Sequence, residues 1–94
     1  MPTLVVIGQV YQVGETQTVG NNGFEKRELI IKTVEEYLQY IKIDFLQGNV
    51  DKIAPDLMDH NVKVSCKLGG RLYTRDNGDV EVFNSLVGWK VEFP

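Results

Sequence analysis

An aromatic residue and a lysine alternate with apolar residues in the segment LQYIKIDF. Successive side chains of a strand point to opposite faces of a sheet, so Ile41, Ile43 and Phe45 would share one face. Tyr40 and Lys42 would then lie together on the other face. A ring beside a cation is a pairing with which proteins stack unpaired bases and neutralise phosphates. The segment therefore suggests a nucleic-acid-binding surface.

Further aromatic and basic side chains extend this candidate surface. Phe24 and Tyr73 flank two probable loops and are candidate base contacts. The candidate phosphate contacts are Lys26, Lys32, Lys42, Lys63, Lys67, Arg71 and Arg75, and a position on the solvent side is the alternative for Lys63 and Lys67. Other roles stay open for all of them. Such aromatic residues also close barrel ends or form subunit interfaces, and most lysines on strands belong to a solvated face.

Residue types that support catalysis or metal binding are scarce. The chain has one histidine, His60, and one cysteine, Cys66, so neither a disulfide nor a Cys/His arrangement is available. Cys66 alternates with apolar residues and is expected to be buried. Glu35 and Glu36 are adjacent, so their side chains diverge on a strand and do not form a catalytic pair. We expect no enzymatic activity, no metal and no cofactor.

Composition indicates one globular domain over residues 1–94, with 43% hydrophobic and 24% charged residues. No apolar run is long enough to span a membrane, and the N-terminus does not resemble a signal peptide, so a cytosolic protein is expected. The net charge of −3 argues against a uniformly basic nucleic-acid binder. However, the acidic residues concentrate in probable turns, whereas several lysines lie in strand-like runs. A basic face on an acidic body remains possible.

The apolar alternation predicts five strands that position these residues. They are expected at Leu4–Tyr11, Phe24–Val34, Leu38–Phe45 (with Tyr37 as the alternative start), Asn61–Leu68 and Val80–Phe93. Gly8 suggests a bend in the first strand, Arg71–Thr74 an extension of the fourth, and Asn84–Ser85 a break in the last. Residues 13–23 read as a long loop, and Asn77–Gly78 as a tight hairpin turn.

A short helix is expected between the third and fourth strands. Val50, Ile53, Leu57 and Met58 have roughly helical spacing, and Pro55 limits the helix to one or two turns. Five strands with a helix in this position is the order of the OB-fold, an all-β barrel that binds oligonucleotides across its second and third strands. An SH3-like barrel or a short β-sandwich has a similar number of strands, but the position of the helix favours the OB-fold.

Four segments resemble those of a known family: GFEKRELIIKT, YIKIDF, VKVSCKLGGRLY and GWKVE. They are similar to segments of short OB-domain proteins of bacterial and phage genomes that resemble single-stranded-DNA-binding proteins. The matching positions are Lys26, Arg27, Glu28, Arg71, Tyr73, Trp89 and Lys90. The resemblance implies sequence-independent binding of single-stranded DNA in replication, recombination or repair. It also implies a homo-oligomer, a dimer or a tetramer, in the cytosol of a bacterium or of a phage-infected host.

A second interpretation is a protein-interaction module on the same barrel, which the net charge of −3 suits better. Tyr40, Tyr73 and Trp89 would then anchor a protein interface. Two further expectations concern single residues. Trp89 alternates with apolar residues and is assigned to the core or a subunit interface. Arg27 is placed at the barrel mouth, paired with a carboxylate.

Overall fold

The computed structural model describes the backbone of residues 1–94 and every side chain except that of Val34. Six strands and two 3-10 helices follow one another along the chain. The strands are β1 (Thr3–Val13), β2 (Gln17–Val19), β3 (Phe24–Val34), β4 (Leu38–Leu46), β5 (Asn61–Thr74) and β6 (Val80–Glu92). The helices, Gln47–Lys52 and Pro55–Leu57, lie between β4 and β5. Among the helices that the structure describes, none is long and apolar enough to cross a membrane.

Five of the strands close into a barrel in which β1 pairs with β3 and β5, β3 with β4, and β5 with β6. The ring is completed by a parallel contact between β4 and β6, with Asp44 opposite Val87. The short β2 adds to the edge of β3. With the helices between the third and fourth barrel strands, this is the OB-fold, and the prediction of fold class is confirmed.

The first strand bends sharply and pairs with two other strands, as Gly8 in its middle suggested. Its first half pairs with β5 and its second half with β3, and Gln9 pairs with both. A Cβ atom at Gly8 would lie 2.6 Å from Ile31 Cγ2 and 2.6 Å from the backbone oxygen of Lys32. Because these distances are far below van der Waals contact, the close approach of β1 to β3 requires glycine at this position.

The barrel core consists of the inward-facing residues of β1, β3, β4 and β5 together with two residues of the helical segment. Its members are Val6, Val10, Leu29, Ile31, Ile43, Phe45, Ile53, Leu57, Val62, Val64 and Cys66. Cys66 is fully buried as expected, and burial raises the pKa of its thiol. Ile41, Ile43 and Phe45 face inward as their alternation predicted, with Ile41 only partly buried.

The structure differs from the sequence-based expectations in three elements. The predicted helix is two 3-10 helices, the second beginning at Pro55. The segment still buries Val50, Ile53 and Leu57, whereas Met58 lies after the second helix and is exposed. The expected loop over residues 13–23 contains β2. The final strand is continuous, because Asn84 and Ser85 pair with Gly70 and Gly69 of β5.

The distal parts of β5 and β6 form a long hairpin that extends beyond the barrel. Its turn is closed by hydrogen bonds from the Arg75 N–H to the Asp79 oxygen (2.8 Å) and from the Gly78 N–H to the Arg75 oxygen (2.9 Å). Gly78 has a φ of 91°, which the Asn-Gly turn signal anticipated. The hairpin helps raise the radius of gyration to 14.7 Å, against about 12 Å for a compact chain of this length.

Candidate nucleic-acid interface

The outer face of the β3–β4 pair presents a stripe of charged, polar and aromatic side chains. Register places Lys32 opposite Tyr40, Ile30 opposite Lys42, and Glu28 opposite Asp44. Tyr40 is 55% exposed, and the Lys42 side chain is also exposed. The predicted grouping of Tyr40 and Lys42 on the face away from the core is therefore confirmed, whereas their role in binding stays a prediction.

A second tyrosine, which sequence reasoning did not select, lies beside Tyr40. The ring centroids of Tyr11 and Tyr40 are 5.1 Å apart with an interplanar angle of 74°, an edge-to-face arrangement. Both rings are about half exposed. Tyr11 sits in a register shift between Val10 and Gln12 of β1. Two exposed rings held against each other form a platform on which bases can stack.

Two lysines of this stripe, Lys26 and Lys42, form ion pairs with two carboxylates. Lys26 Nζ lies 3.7 Å from Glu28 Oε1 and 3.9 Å from Asp44 Oδ2, and Lys42 Nζ lies 3.9 Å from the same Glu28 oxygen. Like charges directly opposite each other on paired strands destabilise a sheet, so the two lysines offset the Glu28–Asp44 pair. Lys32 forms no ion pair with any residue that the structure describes. A bound phosphate therefore competes with Glu28 and Asp44 for Lys26, and with Glu28 for Lys42. At Lys32 it has no described carboxylate to displace.

A cleft of about 370 Å³ adjoins the stripe where β4 and β6 diverge. It is lined by Tyr40, Ile41, Lys42, Asp44, Leu68, Asn84, Ser85 and Leu86. The Asp44 side chain is only 13% exposed. Its Oδ1 atom is buried and accepts no hydrogen bond from the described residues. Such a buried acceptor without a donor is uncommon in folded proteins, and the residue that carries it lines the cleft.

The hairpin has two chemically different faces. Arg71 is opposite Phe83 and Tyr73 is opposite Glu81, so these four side chains share one face. The Arg75 guanidinium lies 6.0 Å from the centre of the Tyr73 ring and forms an ion pair with the Glu81 carboxylate. This face therefore combines exposed aromatic rings with two arginines, as the sequence suggested for Arg71, Tyr73 and Arg75.

The other face of the hairpin is apolar. Leu72, Val80 and Val82 are 65%, 61% and 60% exposed. Strand alternation places Leu72 on the same side as Leu68, and Val82 on the same side as Asn84, both of which line the cleft. The apolar face thus continues the cleft, and the arginine-bearing face points away from it.

The predicted site residues consequently fall into separate groups. Lys26, Lys32, Tyr40 and Lys42 come together on the β3–β4 stripe, whereas Arg71, Tyr73 and Arg75 occupy the outward face of the hairpin. Phe24 lies at the start of β3, on the same face as Lys26 and two residues from it, but eight residues from Lys32, which corresponds to about 27 Å along a strand.

The comparisons with known proteins bear on this barrel as a whole. A family model described as "Domain of unknown function (DUF3127)" matches residues 5–92, nearly the entire chain. The chain belongs to the DUF3127 family. A search of the curated proteins finds no relative of the chain by sequence.

Many solved structures share the fold of this DUF3127 chain. One is the crystal structure of the mitochondrial single-stranded DNA binding protein Rim1 from S. cerevisiae. It aligns with a TM-score of 0.71 over 98% of this chain and 93% of that chain, at 13% sequence identity. At that identity the likeness establishes the OB-fold and leaves the binding residues to be argued from the geometry above.

Two residues of the DUF3127 chain differ from their expected environments. Arg27 forms no ion pair with a carboxylate among the residues that the structure describes. Its Nε and Nη1 groups donate to the carbonyl oxygens of Gly14 and Ile53, each at 2.8 Å, and so tie the β1–β2 connection to the helical segment. Trp89 is not in the core, because it occupies a bulge of β6 and is 40% exposed. The alternative of a subunit interface at Trp89 stays a prediction.

Proposed function

We propose that this protein binds single-stranded DNA without requiring a particular sequence, and that it protects exposed strands during replication, recombination or repair. The observation that carries the proposal is the β3–β4 stripe, where paired tyrosines stand beside lysines on the outer face of an OB-fold barrel. The shared fold with a mitochondrial single-stranded DNA binding protein supports it. The protein acts by binding as one OB-fold domain in the bacterial or phage-infected cytosol, with no catalytic step and no cofactor.

Stacking on aromatic rings and ion pairing with lysines contact different parts of the bound strand. Bases stack on Tyr40 and Tyr11, and phosphates meet Lys32, Lys42 and Lys26 on the same face. The outward face of the hairpin, with Arg71, Tyr73 and Arg75, provides a second contact area for a longer strand. Phe24, on the same face of β3 as Lys26 and two residues from it, would contact a strand that continues past Lys26.

The exposed apolar face of the hairpin bears on assembly. Leu72, Val80 and Val82 form a contiguous patch on a projecting element, and such patches mark interaction sites in soluble proteins. We propose that it packs against a second copy of the chain in a dimer or tetramer, which also aligns several DNA-binding faces. The same patch and the net charge of −3 favour the second candidate function, a protein-interaction module without nucleic-acid binding.

A titration of labelled oligo-dT of about 30 nucleotides, followed by fluorescence anisotropy at low and high salt, tests the proposal. We expect binding that weakens steeply with salt. Loss of one stacking contact costs about 1–3 kcal/mol, so Tyr40→Ala should weaken binding roughly 5- to 150-fold. Phe93→Ala is the matched control, because Phe93 is also an exposed aromatic residue but packs edge-on against His60, apart from the stripe. If no salt-sensitive binding is found, the proposal of DNA binding is wrong and the protein-interaction module becomes the favoured function.

A further inference from the structure

The cleft beside the stripe has the form of a small-ligand site. The contact of β4 with β6 rests on Asp44 and Val87, and the strands separate toward the hairpin. Apolar side chains of Ile41, Leu68 and Leu86 line the cleft together with the polar groups of Asn84 and Ser85. The volume of about 370 Å³ lies at the lower end of the range for small-molecule sites, about 300–1,000 Å³.

The cleft opens directly next to the proposed DNA path. Tyr40 and Lys42 belong both to the exposed stripe and to the lining of the cleft. A strand whose bases stack on Tyr40 and whose phosphates approach Lys42 therefore passes the cleft entrance. The neighbouring base can turn inward, where its flat face meets apolar side chains and its edge meets polar ones.

The hydrogen-bonding capacity of Asp44 determines which base edge can bind in the cleft. An ionised carboxylate only accepts hydrogen bonds, and Asp44 Oδ1 receives none from the described residues. Its other oxygen has only the loose contact with Lys26 at 3.9 Å. The terminal torsion of an aspartate is broad and two-fold, so rotation about it exchanges the positions of the two oxygens. Asp44 lines the cleft, and a base in the cleft would be its hydrogen-bond partner after such a rotation. A base that carries a donor supplies what this carboxylate lacks.

We propose that the cleft is a nucleobase subsite in which Asp44 accepts a hydrogen bond from an exocyclic amino group, so that this position of the bound strand prefers cytosine to thymine. The proposal rests on the proposed function and refines it. Cytosine presents an N4 amino donor, for which aspartate is a suitable acceptor. Thymine presents a carbonyl oxygen at the corresponding position, and an oxygen facing the Asp44 carboxylate is repelled.

The test compares oligo-dC with oligo-dT of about 20 nucleotides, by anisotropy at one salt concentration. Mildly alkaline buffer keeps cytosine unprotonated. We expect the wild-type protein to bind oligo-dC about fivefold more tightly than oligo-dT, the effect of one well-placed hydrogen bond to a base. Asp44→Asn keeps the shape of the side chain but adds a donor amide, and it should bring the two affinities to within about twofold of each other.

Glu28→Gln is the matched control. It removes one negative charge from the same stripe, directly opposite Asp44, but Glu28 does not line the cleft. It should change both affinities by the same factor and leave their ratio intact. Far-UV circular dichroism verifies that both variants are folded.

The possible outcomes separate the subsite from the proposed function. Tight binding with no preference for oligo-dC, or a preference that Glu28→Gln removes as fully as Asp44→Asn, overturns the subsite and leaves DNA binding in place. Failure to bind either oligonucleotide overturns both. A preference for oligo-dC that only Asp44→Asn abolishes supports the subsite.

Discussion

Replacing an acidic residue of the proposed DNA-binding face should strengthen binding, and Glu28→Gln is the sharpest case. In the free protein the Glu28 carboxylate lies 3.7 Å from Lys26 Nζ and 3.9 Å from Lys42 Nζ. A phosphate that approaches either lysine must compete with this carboxylate. Glutamine keeps the length and hydrogen-bonding capacity of the side chain but removes the competing charge.

The magnitude follows from the exposure of the pairs. The three side chains are 31% to 58% exposed, and ion pairs of this kind contribute about 0.2–1 kcal/mol each. A phosphate about 7 Å from Glu28 is repelled by roughly 0.6 kcal/mol in water before screening by salt. With both ion pairs at the lower end of this range, the sum is about 1 kcal/mol, so Glu28→Gln should tighten binding of oligo-dT at least about fivefold at low salt. The gain should shrink as salt rises, because all contributing interactions are exposed.

The measurement is the dissociation constant by fluorescence anisotropy across a series of salt concentrations. Glu92→Gln is the matched control. Its side chain is 42% exposed, like that of Glu28, and lies 3.6 Å from Lys90 at the end of β6. Both variants change the net charge equally. If Glu28→Gln binds no more tightly than Glu92→Gln, the β3–β4 stripe is not where phosphates bind, and the reasoning fails.

Two further predictions concern assembly and the barrel. Leu72→Asp should shift the protein toward monomer in sedimentation velocity, because it places a charge in the exposed apolar face of the hairpin. Val19→Asp, on the exposed strand β2, is the control and should leave the oligomeric state unchanged. A monomeric wild-type protein would contradict the proposed assembly. Gly88→Ala would bring a Cβ atom within 3 Å of the buried Phe45 ring and should lower the free energy of unfolding by about 1–3 kcal/mol in urea titrations. Gly48→Ala is its control, since its added Cβ would meet no described atom within 4 Å outside its chain neighbours and its own helix, and equal losses would refute the packing argument.

The outer face and the core of the central strands were predictable because they depend on local alternation. Period-two spacing alone separates Ile43 and Phe45 from Tyr40 and Lys42, and a barrel strand has only two faces. The strand order, with the helical segment between the third and fourth barrel strands, sufficed for the OB-fold. These features need no knowledge of which distant residues meet.

The cleft and the tyrosine pair were not predictable, because each depends on contacts between distant segments. Tyr11 meets Tyr40 only through the register of β1 on β3 and of β3 on β4. Asp44 becomes part of a cleft because β4 closes on Val87 of β6. Asn84 and Ser85 have weak strand propensity, yet they continue β6 because β5 supplies a pairing partner at each position. Local patterns carry no information about such pairings.

Part of the negative net charge lies within the proposed binding surface. Two carboxylates lie inside the proposed binding face, where they hold Lys26 and Lys42 in the free protein. When a phosphate draws Lys26 away, Asp44 loses its nearest cation and becomes a partly buried acceptor without a partner, which is unfavourable unless a donor replaces the lysine. The amino group of a base in the adjoining cleft is such a donor. Phosphate binding at Lys26 and base recognition at Asp44 should therefore favour each other, because each relieves the cost that the other imposes.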